Sequence, residues 1–291
     1  MSRAVHILLI ISAIVLFGCE EEARIPAPSD RPTLVVTCFI SPGEERIAAT
    51  VFETKPFYGV RKIDSTHLDY SIVKDARVYI SQGNEKALLL YDDFYQSYTI
   101  SAKLFKILPG LKYQLTVTVP DGRKAEASCT VLEESNSTLE VRFDTLPKQY
   151  YYNRQVHKMY FSWQDNSPGQ NFYRVEGSAK YGLTKNSVGV PIVEFAKSPM
   201  RMDEESSNGA FNFWGYILLN NVYNKDSLLV QGYSAYLYVV DEHYYKYFKS
   251  LEEQDKTKNN PFAEPALIYS NVVGGIGVFA SYSKCERKWE H

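Results

Sequence analysis

Seven short runs of strand-forming residues near the start of the chain constrain its fold more than any other feature. They lie at 34–40, 46–53, 75–81, 86–91, 95–101, 112–119 and 124–132. Turn-forming residues separate them, such as Gln82-Gly83-Asn84 and Pro120-Asp121-Gly122. Seven short strands with turns of this kind predict an immunoglobulin-like β-sandwich over residues 33–133.

One corner of this sandwich carries a more specific pattern. The stretch from Leu108 to Tyr113 contains Pro109-Gly110 and resembles the turn into the penultimate strand of fibronectin type III domains. In such a corner the tyrosine hydroxyl binds the backbone a few residues upstream and joins two sheets. We therefore predict a structural role for Pro109, Gly110 and Tyr113.

The rest of the chain, residues 134–291, predicts a second antiparallel β domain that is rich in tyrosine. Its strand-like runs lie at 138–144, 156–163, 171–181, 190–196, 211–219, 227–240 and 266–282. They are longer than those of the first domain. The predicted fold class is thus mainly all-β.

One α-helix is predicted near 241–256, inside the second domain. Tyr244, Tyr247 and Phe248 recur there at helical spacing, with lysines and glutamates elsewhere in the segment. Asp241 is a suitable N-cap because its carboxylate can accept a free backbone N–H of the first turn. The aromatic stripe is expected to pack this helix against the sheet.

The first residues of the chain predict a bacterial lipoprotein signal peptide over 1–18. Arg3 precedes an apolar run from Val5 to Phe17, and Gly18 is followed by Cys19. The run is too short to cross a bilayer, which takes about 20 residues. Cys19 would become the acylated N-terminus, held in the membrane by its hydrocarbon chains. The alternative is an ordinary cleaved signal with an incidental cysteine.

Residues 19–32 predict a tether between the lipid and the folded part. Three prolines between Ala23 and Pro32 exclude a helix or a central strand there. The triplet Glu20-Glu21-Glu22 directly after the cysteine resembles the surface-export signal of Bacteroidetes lipoproteins. The alternative is a solvated start to the spacer.

Three further cysteines bear on how the sandwich is held together. Alternation places Cys38 and Cys129 on the inward faces of the first and last strands, which could be neighbours. Outside the cytoplasm they can form a disulfide, and otherwise they are two buried thiols. Both alternatives stay open at this point. Cys285 has no pairing partner.

Charge and motifs exclude several function classes. The 32 basic and 34 acidic side chains nearly balance, so no nucleic-acid partner is expected. The glycines of Gly274–Gly277 precede strand-like residues, which predicts a close backbone approach instead of a phosphate loop. Histidines are scattered and no Gly-x-Ser-x-Gly motif occurs. We therefore predict no catalytic residues, no metal and no cofactor.

Aromatic residues of the second domain are the best candidates for a binding surface. Tyrosine occurs 23 times in the chain and suits both strands and contact surfaces. Trp214, Tyr216, Tyr236 and Tyr238 form the candidate patch for a partner or ligand. The alternative is that they belong to the core.

The chain resembles a Bacteroidetes outer-membrane lipoprotein family, domain-of-unknown-function family 4249. The resemblance covers nearly all of the mature chain. It rests on the following segments: Leu34-Val35-Val36, Asp75-Ala76-Arg77-Val78, Pro109-Gly110-Leu111-Lys112-Tyr113, Phe172-Tyr173-Arg174, Tyr244-Tyr245-Lys246-Tyr247, Asn260 to Pro265, Ser270-Asn271-Val272 and Gly274 to Phe279.

This resemblance implies a cellular location and a kind of partner. It implies a lipid-anchored protein of the outer membrane, exposed at the cell surface, whose gene lies near that of a TonB-dependent receptor. We expect a non-enzymatic accessory or binding component of nutrient uptake, with the membrane, such a receptor and an unknown small ligand as partners. The alternatives are a structural or adhesive surface lipoprotein and, less favoured, a secreted hydrolase.

Overall fold

The fold consists mainly of β-strands, as predicted. The computed structural model describes residues 32–54, 71–133, 138–146, 156–164, 171–182, 192–197, 201–202, 210–218, 229–257 and 266–290. Its strands are β1 (Leu34–Ile40), β2 (Arg46–Glu53), β3 (Ser71–Ile72), β4 (Arg77–Gln82), β5 (Glu85–Asp92), β6 (Ser97–Ser101), β7 (Lys112–Thr118), β8 (Lys124–Thr130), β9 (Thr138–Leu146), β10 (Val156–Gln164), β11 (Phe172–Gly182), β12 (Ile192–Lys197), β13 (Arg201–Met202), β14 (Ala210–Leu218), β15 (Leu229–Val240) and β16 (Ile276–Glu290). The helix described is α1 (Glu242–Thr257).

The strands form two sheets. The large sheet has thirteen strands, with the path β12-β11-β15-β16-β1-β2-β6-β5-β4-β7-β8, and β13 and β3 pair beside it. The small sheet has the order β14-β10-β9. The prediction of an immunoglobulin-like class for residues 33–133 stays a prediction, as does the domain boundary near 133.

The last strand differs from the prediction in its bounds. The run 266–282 was expected to be one strand, but β16 begins at Ile276 and extends to Glu290. Its first half pairs with β1 in parallel, from Val35 opposite Ile276 to Ile40 opposite Ser281. The described pairings within residues 134–291 are antiparallel, and the parallel pair joins β16 to β1 of the predicted first domain.

Side chains explain why residues 266–275 are not a strand. The Ser270 hydroxyl accepts the N–H groups of Val272 (3.2 Å) and Gly277 (3.1 Å). The Asn271 amide brackets Phe279, donating to its carbonyl (2.8 Å) and accepting its N–H (3.0 Å). Because these side chains satisfy the backbone locally, the segment is ordered without a ladder of its own.

Buried residues fall into three groups. The first lies among β1–β8, the strands of the predicted sandwich, which we call the sandwich below, and includes alternate residues of β1, such as Leu34 and Ile40. The second lies between the two sheets, where Phe161 of β10 packs with Val175 of β11 and Leu237 of β15. The third lies under the helix. The large sheet is therefore covered by apolar contacts over much of its length.

The helix is capped and packed as its sequence predicts. Asp241 Oδ1 accepts the backbone N–H of Tyr244 (2.8 Å), and Oδ2 accepts that of Ser281 on β16 (2.7 Å). The rings of Tyr244 and Phe248 lie 5.0 Å and 5.6 Å from the ring of Phe39, on the outer side of β1. The aromatic stripe thus attaches α1 to the junction of β1 and β16.

The glycine cluster makes the close backbone approach predicted for it. Gly274 and Gly277 have φ of 79° and 121°, values that favour glycine. A Cβ on Gly277 would collide with the carbonyl oxygen of Val36. β16 can lie against β1 here only because this residue has no side chain.

Strand direction defines two ends of the sandwich. We call the end with Leu34, Glu53 and Ile276 the near end, because the chain enters β1 there. The opposite end, with Ile40 and Ser281, is the far end.

Candidate functional site

A groove of about 720 Å³ opens at the far end. One wall is the turn after β1, with Pro42 and residues 44–46. The other wall is the connection between β6 and β7, with residues 101–103 and 106–109. The groove therefore lies where two loops of the sandwich meet.

The β6–β7 wall has a fixed alternation of buried and exposed residues. Phe105 and Ile107 are buried, whereas Leu104, Lys106 and Leu108 face solvent. The buried pair holds the loop to the core, so the intervening side chains are presented outward.

Tyr113 fixes the same wall from below. Its hydroxyl accepts the N–H of Leu108 (2.8 Å) and donates to the carbonyl of Lys106 (3.2 Å), the backbone bonds expected of it. Gly110 has φ of 72°, and a Cβ there would collide with the Glu133 carboxylate. The predicted corner, with Pro109 in the groove lining, therefore also shapes the groove.

Glu44 connects the groove with the last strand. Its Oε1 accepts the Tyr282 hydroxyl (3.0 Å) and the Lys284 ammonium (2.9 Å). Lys284 and Glu44 are 240 positions apart in the chain. The turn after β1 and the second half of β16 thus form one continuous surface.

That surface continues as a face of the large sheet that we call the tyrosine face, made of Tyr236, Tyr238 and Tyr282. Register places Tyr238 opposite Lys284 and Tyr236 opposite Glu286. Ring centroids lie 6.3 Å apart between Tyr236 and Tyr238, and 5.7 Å apart between Tyr238 and Tyr282. The three rings form a row across β15 and β16.

Carboxylates surround these hydroxyl groups. Burial, together with the nearby Glu176 carboxylate, raises the pKa of Tyr238, whose hydroxyl donates to Glu176 Oε2 (3.3 Å). Burial and Glu44 raise the pKa of Tyr282 in the same way. Both tyrosines therefore remain protonated donors at neutral pH. The hydrogen bond from Lys288 lowers the pKa of Glu286, which keeps that carboxylate ionised.

The predicted patch is divided between the two sheets, which corrects the sequence-based grouping. Trp214 of β14 lies opposite Tyr160 in register, next to the pair Met159 and Gly215. Trp214 and Tyr216 thus lie in β14 of the small sheet. The tyrosine face belongs to the large sheet. The apolar faces of the two sheets meet, which turns the remaining faces away from each other.

The cysteines of the sandwich are free thiols. Cys38 and Cys129 are both buried, and no disulfide joins them in the structure. Their strands are not neighbours, because β1 pairs with β2 and β16 whereas β8 pairs with β7. Burial raises the pKa of the Cys38 thiol to about 12 and raises that of Cys129 as well. Cys285 is also free, at the margin of the core between the sheets.

Sequence reasoning missed Glu44, Tyr282 and Lys284. A signal was present, because Tyr282, Lys284 and Glu286 continue the period-two pattern of the last strand. The predicted strand ended at residue 282, so this polar face was not recognised.

Metal binding and membrane insertion were the remaining possibilities for the described residues. In the ranges that the structure describes, no group of His, Cys, Asp and Glu side chains is arranged to hold a metal ion. The described helix is not long and apolar enough to cross a membrane. Cys19 and Glu20-Glu21-Glu22 lie outside the described residues, so their roles stay predictions.

Comparison with known proteins identifies a family. The model of the family "Domain of unknown function (DUF4249)" matches residues 20–288. No curated protein matches the chain. A solved structure, "Biofilm associated protein - B domain", is similar over 87% of this chain and 85% of its own, with 7% identity and a TM-score of 0.19. The match over residues 20–288 shows that the chain belongs to the DUF4249 family.

Proposed function

We propose that this protein is a lipid-anchored outer-membrane lipoprotein that faces outward and acts, without catalysis, as an accessory of a TonB-dependent nutrient-uptake system. Cys19 would carry the lipid, residues 19–32 would form the tether, and the triplet Glu20-Glu21-Glu22 would direct export. The far end would meet the receptor or the nutrient.

The direction of two strands is the observation that supports this proposal most. The tether leads into β1 at the near end, and β1 and β16 run in parallel away from it. The tyrosine face and the groove lie past the point where β1 ends. A tether of this length reaches at most about 45–50 Å when extended. Because the chain enters β1 at the near end, the far end lies at the opposite end of β1 from the point where the tether is attached.

The chemistry of the far end suits recognition. Tyrosine supplies a large contact area and a hydroxyl at low conformational cost. Paired carboxylates and ammonium groups around the rings add charge complementarity, which favours a specific orientation of a partner. The pairs Glu44–Lys284 and Glu286–Lys288 supply such groups at the edge of the face.

The receptor partnership is tested by affinity capture from detergent-solubilised outer membranes. The wild-type protein should retain a TonB-dependent receptor, and Tyr236→Ala combined with Lys284→Gln should retain at least about tenfold less, since contacts at an interface centre carry most of the binding energy. Lys256→Gln in the last turn of α1 is the matched control. Recovery of no receptor by the wild-type protein would count against the partnership.

Anchoring is tested separately by fractionation of cells that express Cys19→Ala. The acyl chains supply the membrane affinity, so the variant should leave the outer-membrane fraction. Normal retention of this variant would overturn the lipoprotein assignment. A deletion strain that grows on every nutrient but loses surface attachment would instead favour the adhesive alternative.

A further inference from the structure

We propose that the groove at the far end binds a small organic anion, with its carboxylate or phosphate group at Lys103 and Lys106 and its apolar body along Leu108 and Pro109. This inference deepens the proposed function by assigning a ligand class, and its biological meaning rests on that function. The charge, the apolar lining and the rigidity of the groove support this assignment.

The free charges of the groove are mainly positive. Lys103 and Lys106 are exposed, and no carboxylate among the described residues pairs with either. Glu44 is neutralised by Lys284. Arg46 lies over the ring of Tyr95 at 4.0 Å. Two lysines thus face the groove with only Glu45 to oppose them, which favours an anion.

An apolar strip runs beside these lysines. Leu108 and Pro109 line the β6–β7 wall beside the buried Ile107, and Pro42 lies on the opposite wall. Leu108 is 48% exposed. An apolar group placed on this strip would remove its surface from water. The volume of about 720 Å³ is in the range of small-molecule sites.

The binding wall is rigid before any ligand arrives. The N–H groups of Leu104 (2.9 Å) and Phe105 (3.3 Å) bind the carbonyl of Ser101. The Ala102 N–H binds the Glu45 carbonyl (2.9 Å), which joins the two walls. Tyr113 holds the other end of the loop, as described above. A ligand therefore orders few groups, which lowers the entropic cost of binding.

The test is isothermal titration calorimetry of the full lipidated chain in phospholipid nanodiscs, with empty nanodiscs as the blank. The probe is 3-phenylpropanoate, and the matched compounds are the neutral 3-phenylpropan-1-ol and the cationic 3-phenylpropylammonium. The probe should bind, should bind more weakly as salt is added, and should bind more tightly than both matched compounds.

Variants place the binding in the groove. Lys103→Gln with Lys106→Gln should weaken 3-phenylpropanoate binding about tenfold or more, since hydrogen bonds to charged groups are among the strongest. Lys256→Gln, an exposed lysine outside the groove, should bind as the wild-type protein does. The substituted lysines are exposed, so both variants should fold.

Three results would overturn the inference: no binding of 3-phenylpropanoate, equal binding of the alcohol, or undiminished binding by the double variant. None of these results affects the proposed function, provided that the Cys19→Ala variant leaves the outer-membrane fraction as expected. If the chain binds the anion but proves not to be lipid-anchored, the proposed function is refuted and the inference stands.

Discussion

The two ends of the sandwich differ in their contacts: backbone groups dominate at the near end and side chains at the far end. At the near end, backbone meets backbone: Val273 and Glu126 exchange N–H···O bonds of 2.8 Å and 2.9 Å, and Gly277 lies against Val36. At the far end, side chains on fixed loops face a groove, and Lys103 and Lys106 lack carboxylate partners among the described residues.

The near end therefore supports the fold, whereas the far end is suited to recognition of a partner or ligand. A backbone contact between two strands tolerates no added atoms, but it offers a ligand little chemical variety. Exposed lysines and leucines on a rigid loop can change without loss of the fold, and they are available to bind. We therefore expect substitutions at the near end to affect stability most, and substitutions at the far end to affect local order and binding.

The largest expected effect is that of Gly277→Ala. The new Cβ would collide with the Val36 carbonyl at a φ of 121°, so strand separation and backbone strain both oppose folding. The free energy of unfolding should fall by about 3–5 kcal/mol. Urea denaturation of the wild-type protein and the variant measures this difference.

Gly43→Ala is the matched control at the far end. A Cβ on Gly43 meets no atom within 4 Å. Its unfolding free energy should stay within about 0.5 kcal/mol of the wild-type value. Equal losses in the two variants would remove the distinction between the ends.

The sequence predicts elements with a clear periodicity, but it does not predict the segment before the glycine cluster. Strands from 34 to 132 were predictable because apolar residues alternate between clear turns, and α1 because its aromatic residues recur at helical spacing. Residues 266–275 were misassigned because Ser270 and Asn271 satisfy the backbone through side chains, which no periodicity shows.

Contacts distant in sequence account for the rest of what was missed. The parallel pairing of β1 with β16 joins the two termini of the folded part. It brings Glu44 to Tyr282, 238 positions away, and thereby creates the surface at the far end. A single sequence carries no signal for such a pair, although the alternation from Tyr282 to Glu286 does indicate a polar face.

Two buried tyrosine hydroxyls allow a matched test of intermediate size. In Tyr113→Phe the Leu108 N–H and the Lys106 carbonyl lose their partner, which should lower the unfolding free energy by about 1–2 kcal/mol. Hydrogen exchange should become faster at the Leu108 amide and its loop neighbours, while the amides of β16 keep their protection.

Tyr98→Phe makes the same chemical change on the other side of the sandwich. The Tyr98 hydroxyl donates to the Val73 carbonyl (2.9 Å) and accepts the Ala76 N–H (2.8 Å). In Tyr98→Phe, faster hydrogen exchange should be confined to the Ala76 amide and adjacent residues. Faster exchange at both ends in either variant would show that the two ends are not independent.

The smallest expected effect is that of Tyr282→Phe, at the junction of the groove and the tyrosine face. Glu44 keeps its contact with Lys284, so the unfolding free energy at neutral pH should fall by only about 0.5–1 kcal/mol. A loss of this size is small enough to keep the fold, so the pH dependence of the variant can be measured.

That pH dependence gives the sharper test. Burial and Glu44 raise the pKa of Tyr282 in the folded chain, whereas tyrosine in the unfolded chain titrates near pH 10. The folded state therefore holds the proton more tightly, and the stability that this hydroxyl contributes is lost as the pH rises above about 10. Unfolding free energies measured across that range should fall less steeply for Tyr282→Phe than for the wild-type protein. An unchanged slope would mean that the Tyr282 hydroxyl is neither buried nor held against Glu44, and the contact of Lys284 with Glu44 alone would then join the groove to the tyrosine face.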